Sequence, residues 1–176
     1  CALPIWRFNH RILMQDAVIE SPKDESEEEK QRVFDSLERK AKWLLDAQKG
    51  YLQVIRTGHA YWATAAGYKI GALYERLYEE IVKVPSPPGI TEQEKVIYQD
   101  ELIKKVSVLL RKSLTAFRKV CKVAKRIEVK NEWVVKSQAS MERLLEVLTK
   151  TGHLKPPKET KPKGEPVKAE EVKPAS

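Results

Sequence analysis

The sequence predicts an all-α fold, in which long antiparallel helix pairs stack as an α-solenoid. Three observations lead there. Apolar residues recur at three- and four-residue steps through four long stretches of the 176-residue chain, the period of an amphipathic helix. Capping residues, prolines and glycines punctuate those stretches where helices start and stop. Small and aromatic residues also stand at close helical spacings in Gly67-Tyr68-Lys69-Ile70-Gly71-Ala72-Leu73-Tyr74 and in Ser113-Leu114-Thr115-Ala116-Phe117-Arg118-Lys119-Val120. That spacing lets two helices lie close together. A similar segment stands earlier, at Ala47-Gln48-Lys49-Gly50-Tyr51-Leu52-Gln53-Val54-Ile55.

Residues 1–24 mix Leu3, Ile5, Trp6, Phe8, Ile12 and Leu13 with little periodicity. Such a segment is too apolar to hang free, so it is expected to pack on the domain or to continue a missing upstream part. Cys1 leaves two readings open: the start of a fragment, or a lipid anchor of the kind that begins bacterial lipoproteins. Cys1 and Cys121 do not make a disulfide scaffold, and Cys121 is expected as a small residue on an apolar helix face.

The folded region is read as residues 25–150. Ser26 followed by three glutamates opens a helix over about 26–57, because acidic groups favour the positive end of the helix dipole. Its apolar positions run through Val33, Phe34, Leu37, Leu44, Leu45, Tyr51, Leu52 and Ile55. A second helix covers about 59–84 and stops at Pro85-Ser86-Pro87-Pro88-Gly89, where fixed φ angles and missing N–H groups forbid continuation. Thr91 with Glu94 is a capping-box signature for a third helix over about 91–129, with Ile97, Leu102, Val106, Leu110, Leu114, Phe117 and Val120 on its apolar face. Asn131 caps a fourth, over about 131–149, which Gly152 ends. Residues 151–176 are rich in Lys, Pro and Glu and have no aromatic residue. They cannot repay their ordering entropy and are expected to be a disordered tail.

Gly67 and Gly71 stand one turn apart on one helix face. A glycine inside a helix costs about 1 kcal/mol relative to alanine. Two of them at that spacing predict the close approach of a neighbouring helix, with Tyr74 supplying a large contact beyond it.

These residues resemble tetratricopeptide repeats. Ile70-Gly71 with Tyr74 fits the first helix of such a repeat, and Ser113, Phe117 and Val120 fit the second. Ala47, Tyr51 and Val54 look like the second helix of a preceding repeat. The chain departs from the family in the length of the central pair and in the Pro-rich break between its halves. In both respects it resembles the terminal region of long repeat-containing envelope proteins of deltaproteobacteria, some linked to gliding motility. The resemblance implies a protein-binding array whose concave face is built mainly from first helices, with His59, Lys69 and Arg76 as candidate exposed positions. It also implies a bacterial periplasmic or outer-membrane-associated setting, with a cytoplasmic one left open.

Chemistry is poorly supported. The three histidines lie in three different segments, no Cys/His or Asp/His pair has metal-ligand spacing, and no phosphate loop or dinucleotide fingerprint is present. No catalytic, metal or cofactor residue is assigned. No apolar run reaches the length of a membrane span. The formal charge of +8 gathers in the second half, where basic residues between Lys95 and Lys150 far outnumber acidic ones. Lys104, Arg111, Arg118, Lys122 and Lys125 form a stripe opposite the apolar face of the third helix. The leading expectation is therefore a non-catalytic protein–protein interaction scaffold in an envelope or motility assembly. The alternative is a basic helical adaptor for nucleic acid or for an anionic membrane or polysaccharide surface. Nucleic acid is disfavoured because no exposed aromatic platform is interleaved with the stripe.

Overall fold

The computed structural model describes Ile19, Lys23, residues 26–150 and Gly152. The expectations for Cys1, for the rest of the N-terminal segment and for the C-terminal tail lie outside the described residues. Ile19 packs against the main apolar cluster. Four helices make up the described chain: α1 (Glu27–Arg56), α2 (Ala60–Val82), α3 (Glu92–Arg126) and α4 (Glu132–Lys150). No strand occurs among the described residues. The architecture is an all-α four-helix bundle, in keeping with a solenoid-like stack.

Local chemistry explains where each helix begins. The Ser26 hydroxyl accepts from the Glu29 N–H at 3.3 Å and leaves Glu27, Glu28 and Glu29 in the first turn of α1. Thr91 and Glu94 form a reciprocal capping box on α3, with Glu94 Oε2 accepting from the Thr91 N–H at 2.8 Å. Asn131 Oδ1 accepts from the N–H groups of Trp133 and Val134 at 3.0 and 3.1 Å, which satisfies two orphan donors of α4. The Asn131 amide also donates to Thr64 Oγ1 at 2.9 Å, so the cap ties α4 to α2. Gly58 ends α1 with φ of 76°, and Gly89 turns the loop ahead of α3 with φ of 85°. α3 ends at Arg126, short of the expected 129, where Glu128 turns the chain with φ of 54°.

The helices pack in sequence order, α1 on α2, α2 on α3 and α3 on α4, and α4 also reaches α2. The α2–α3 seam is the tightest. Phe117 is fully buried and lies over Gly71, where an added Cβ would collide with its ring. One turn along, Val120 occupies the same place over Gly67. The Ser113 hydroxyl donates to the Gly71 carbonyl at 2.8 Å, with Ser113 fully buried. Leu44 and Tyr51 of α1 join Ile70, Tyr74 and Leu77 of α2 in one cluster. Leu110, Leu114 and Phe117 of α3 join Leu144 and Leu148 of α4 in a second. α1 is fastened polarly as well, since the Tyr74 hydroxyl donates to Gln48 Oε1 at 2.6 Å and buried Lys40 pairs with Glu80.

Two expectations about apolar faces differ from what is seen. Phe34 and Leu45 of α1 are 59% and 51% exposed, and Ile97 of α3 is 63% exposed. α1 carries an apolar arc wider than one neighbour can cover, and only the part holding Leu44 and Tyr51 meets α2. α3 outruns the helices beside it, so almost every residue from Glu92 to Glu101 faces solvent. Those turns depend on the capping box. Thr91→Ala is expected to cost about 1 kcal/mol, read as faster amide exchange across residues 92–101. Unchanged exchange there would show that the cap does not hold the segment.

Candidate docking groove

α1 and α3 both lean on α2, and between them an open groove of about 1010 Å³ runs along it. The floor is low because α2 contributes Ala60, Ala63, Thr64 and Gly67, followed by Ile70. Gln48, Leu52 and Ile55 form the α1 wall. The α3 wall combines Val108, Ala116 and Val123 with Arg111, Lys112, Lys119 and Lys122. At one end the Tyr74–Gln48 hydrogen bond spans the groove base, with the Lys112 ammonium 5.4 Å from the centre of the Tyr74 ring. At the other end stand Ala60 and Ile127.

Among the described residues the charge on the α3 wall is uncompensated: the chain contains no acidic residue between Glu101 and Glu128, and none of the described carboxylates lines the groove. Elsewhere several exposed lysines have partners one turn away, as in Lys30–Glu27, Lys49–Asp46, Lys136–Glu132 and Lys150–Glu146. Arg111 is half-buried; one of its terminal nitrogens donates to Ser107 Oγ at 3.2 Å, while its buried Nε has no hydrogen-bond acceptor. A guanidinium so placed is drawn to any carboxylate that reaches it.

The basic stripe anticipated on the third helix is divided by this geometry. Arg111 and Lys122 line the groove, whereas Arg118 and Lys125 are exposed but do not line it. Lys104 is exposed on the overhanging part of α3 and sits 3.5 Å from Glu101. The candidates taken from the repeat resemblance lie elsewhere. His59 is the exposed N-cap residue of α2, its ring 6.4 Å from that of Trp62. The Lys69 ammonium lies 5.4 Å over the Trp133 ring, and Arg76 pairs with Glu80 at 2.8 Å. Both are therefore engaged within the bundle. All nine packing positions, Ala47, Tyr51, Gly67, Ile70, Gly71, Tyr74, Ser113, Phe117 and Val120, are buried.

No protein-family model matches the chain, and no significant match was found among curated proteins or solved structures.

The groove itself was not legible from sequence. Lys112 and Lys119 lie outside the stripe, and Leu52, expected on the apolar face, is exposed, whereas Ile55 packs against the main cluster as expected. The available signal was the breadth of the apolar arc on α1, which exceeds the stripe that one partner helix buries.

The other titratable features are structural. Among the described residues no group of histidine, cysteine, aspartate and glutamate could hold a metal ion, and no helix is long and apolar enough to cross a membrane. Cys121 is half-buried and free, and burial raises its thiol pKa. Glu75 is buried between α2 and α4, where Arg143 pairs with it at 2.7 Å. Burial raises its pKa above the usual glutamate value; Arg143 opposes this and Glu79 adds to it. A carboxyl that is harder to ionise folded than unfolded keeps its proton preferentially in the folded state. Its contribution to stability is therefore present below the ordinary glutamate pKa and is lost as pH rises through the raised value. Glu75→Gln is expected to remove that downward slope in urea unfolding as pH rises above the ordinary glutamate value. An unchanged slope would remove Glu75 as its source.

Proposed function

We propose that this chain is a non-catalytic protein–protein interaction scaffold whose docking surface is the groove between α1 and α3. One observation carries the reading: an open apolar trough has a wall of cations that no carboxylate of the described residues neutralises. A buried seam of glycine, phenylalanine and serine holds α2 against α3 and so fixes the shape of the trough. The bacterial envelope setting, periplasmic or at the outer membrane, is proposed from the resemblance to repeat-containing envelope proteins alone.

The test is crosslinking of the full-length protein in its native cells, with partners identified by mass spectrometry and location read from the same fractions. Envelope proteins that lose their crosslinks when Leu52 is changed to aspartate are the expected result. Crosslinks confined to nucleic acid, or a chain found only in the cytosolic fraction, would overturn the function and the setting respectively. A basic adaptor for nucleic acid or an anionic surface is the second reading, supported by exposed Arg118 and Lys125 beside the groove. It requires that reversing Arg111, Arg118 and Lys122 together abolish salt-sensitive binding while helicity is retained.

A further inference from the structure

Resting on the scaffold reading, we infer that the groove takes an acidic amphipathic α-helix from a partner protein. The helix would lie along α2, with an aliphatic face toward α1 and carboxylates along one edge toward α3. Four features of the trough define this occupant.

The first is shape. The trough is open along its length and bounded by two helices, the form into which a helix lays its apolar face. Where its floor is half-exposed it consists of Ala60 and Ala63, whose short side chains let an incoming helix approach that stretch of α2 closely. The second is apolar character where it would be wasted on solvent. Leu52, Val108, Val123 and Ile127 are all exposed, and all line the groove.

The third is charge. Arg111, Lys112, Lys119 and Lys122 face the trough, none has a carboxylate partner among the described residues, and the lining has no acid. The α1 wall is uncharged, so the asymmetry prescribes acidic residues on one edge of the occupant only.

The fourth is the distribution of that charge. From Arg111 to Lys122 is eleven residues, or roughly 16 Å of helix. A single-headgroup amphiphile such as a fatty acid would need cations gathered at one end, whereas here they accompany the trough along three turns. A helix with acidic side chains about seven and eleven residues apart meets this spacing. The half-buried Arg111 would engage one of them bidentately.

The N-terminal segment of this chain is a poorer occupant, because its Asp16, Glu20 and Asp24 are matched by Arg7, Arg11 and Lys23 and leave it no acidic excess to set against the α3 wall.

A displayed library of helical peptides, randomised on its surface positions and panned against the full chain, tests the inference. The expected result is enrichment of a Leu/Ile stripe flanked on one edge by Asp or Glu at spacings of about seven and eleven residues. A synthetic peptide of the enriched sequence should bind at least tenfold more weakly to the Arg111→Glu, Lys119→Glu, Lys122→Glu triple variant. The same loss is expected for Leu52→Asp, and circular dichroism should report unchanged helicity in both variants. Enrichment of neutral or basic peptides that compete at Leu52 would overturn the acidic occupant while leaving the scaffold reading intact. Binders insensitive to both variants would remove the groove as the docking site. Failure to enrich any peptide, together with saturable binding of oleate or of anionic phosphatidylglycerol vesicles, would overturn both.

Discussion

Phe117→Ala is expected to destabilise the bundle by about 3–5 kcal/mol, the range for removing a large buried aromatic side chain. Phe117 is fully buried and serves two interfaces at once. Its ring covers the bare face of Gly71, packs beside Tyr68 with centroids 5.5 Å apart, and completes the cluster with Leu144 and Leu148. Deleting it opens a void between α2, α3 and α4 that none of them can fill without moving. Urea unfolding followed by circular dichroism measures the loss. A cost under about 1 kcal/mol would mean that the seam collapses around the gap and that the ring is not central.

Gly71→Ala is expected to cost about 1–3 kcal/mol through overpacking. The direction is informative because helix propensity alone predicts the opposite: alanine is favoured over glycine inside a helix by about 1 kcal/mol. The backbone of α2 tolerates alanine at this position; the obstacle is the Phe117 ring, where the new methyl would have to sit. Phe117→Leu in the same chain should recover part of the loss, giving a coupling above about 0.5 kcal/mol in a double-mutant cycle. If Gly71→Ala stabilises the protein, the close approach of α2 and α3 is wrong. Binding of a groove peptide supplies a second readout, since displaced α2 and α3 would change the floor and one wall together.

Local signals translated well into structure because their causes are local. Thr91 with Glu94, Asn131, and the run from Pro85 to Gly89 act through backbone hydrogen bonds or fixed dihedrals within a few residues. The pairing of Gly67 and Gly71 with Val120 and Phe117 was legible for a different reason. Glycine inside a helix is costly enough to imply a compensating neighbour. Periodicity, by contrast, shows which residues share a face without showing how many neighbours that face has. Phe34, Leu45 and Leu52 belong to an apolar arc that no other described helix fully covers, and Ile97 is exposed because α3 extends past its neighbours. The basic stripe was visible as a face of α3, but its division by the groove edge depends on the rotation of α3 against α2. That rotation is set by the small residues of both helices acting together.

The long acid-free run of α3 also bears on the unoccupied protein. Lys122 has Arg118 and Lys119 one turn before it and Lys125 and Arg126 one turn after. Like charges at such spacings oppose helix formation by about 0.2–0.5 kcal/mol per pair. The free bundle thus carries local frustration along α3, and an acidic occupant beside Lys119 and Lys122 would relieve part of it. Docking and folding are thermodynamically linked, so occupancy raises the melting temperature beyond what surface burial contributes. Relief of the same repulsion by Lys122→Glu would make the free protein more stable while making it a poorer host.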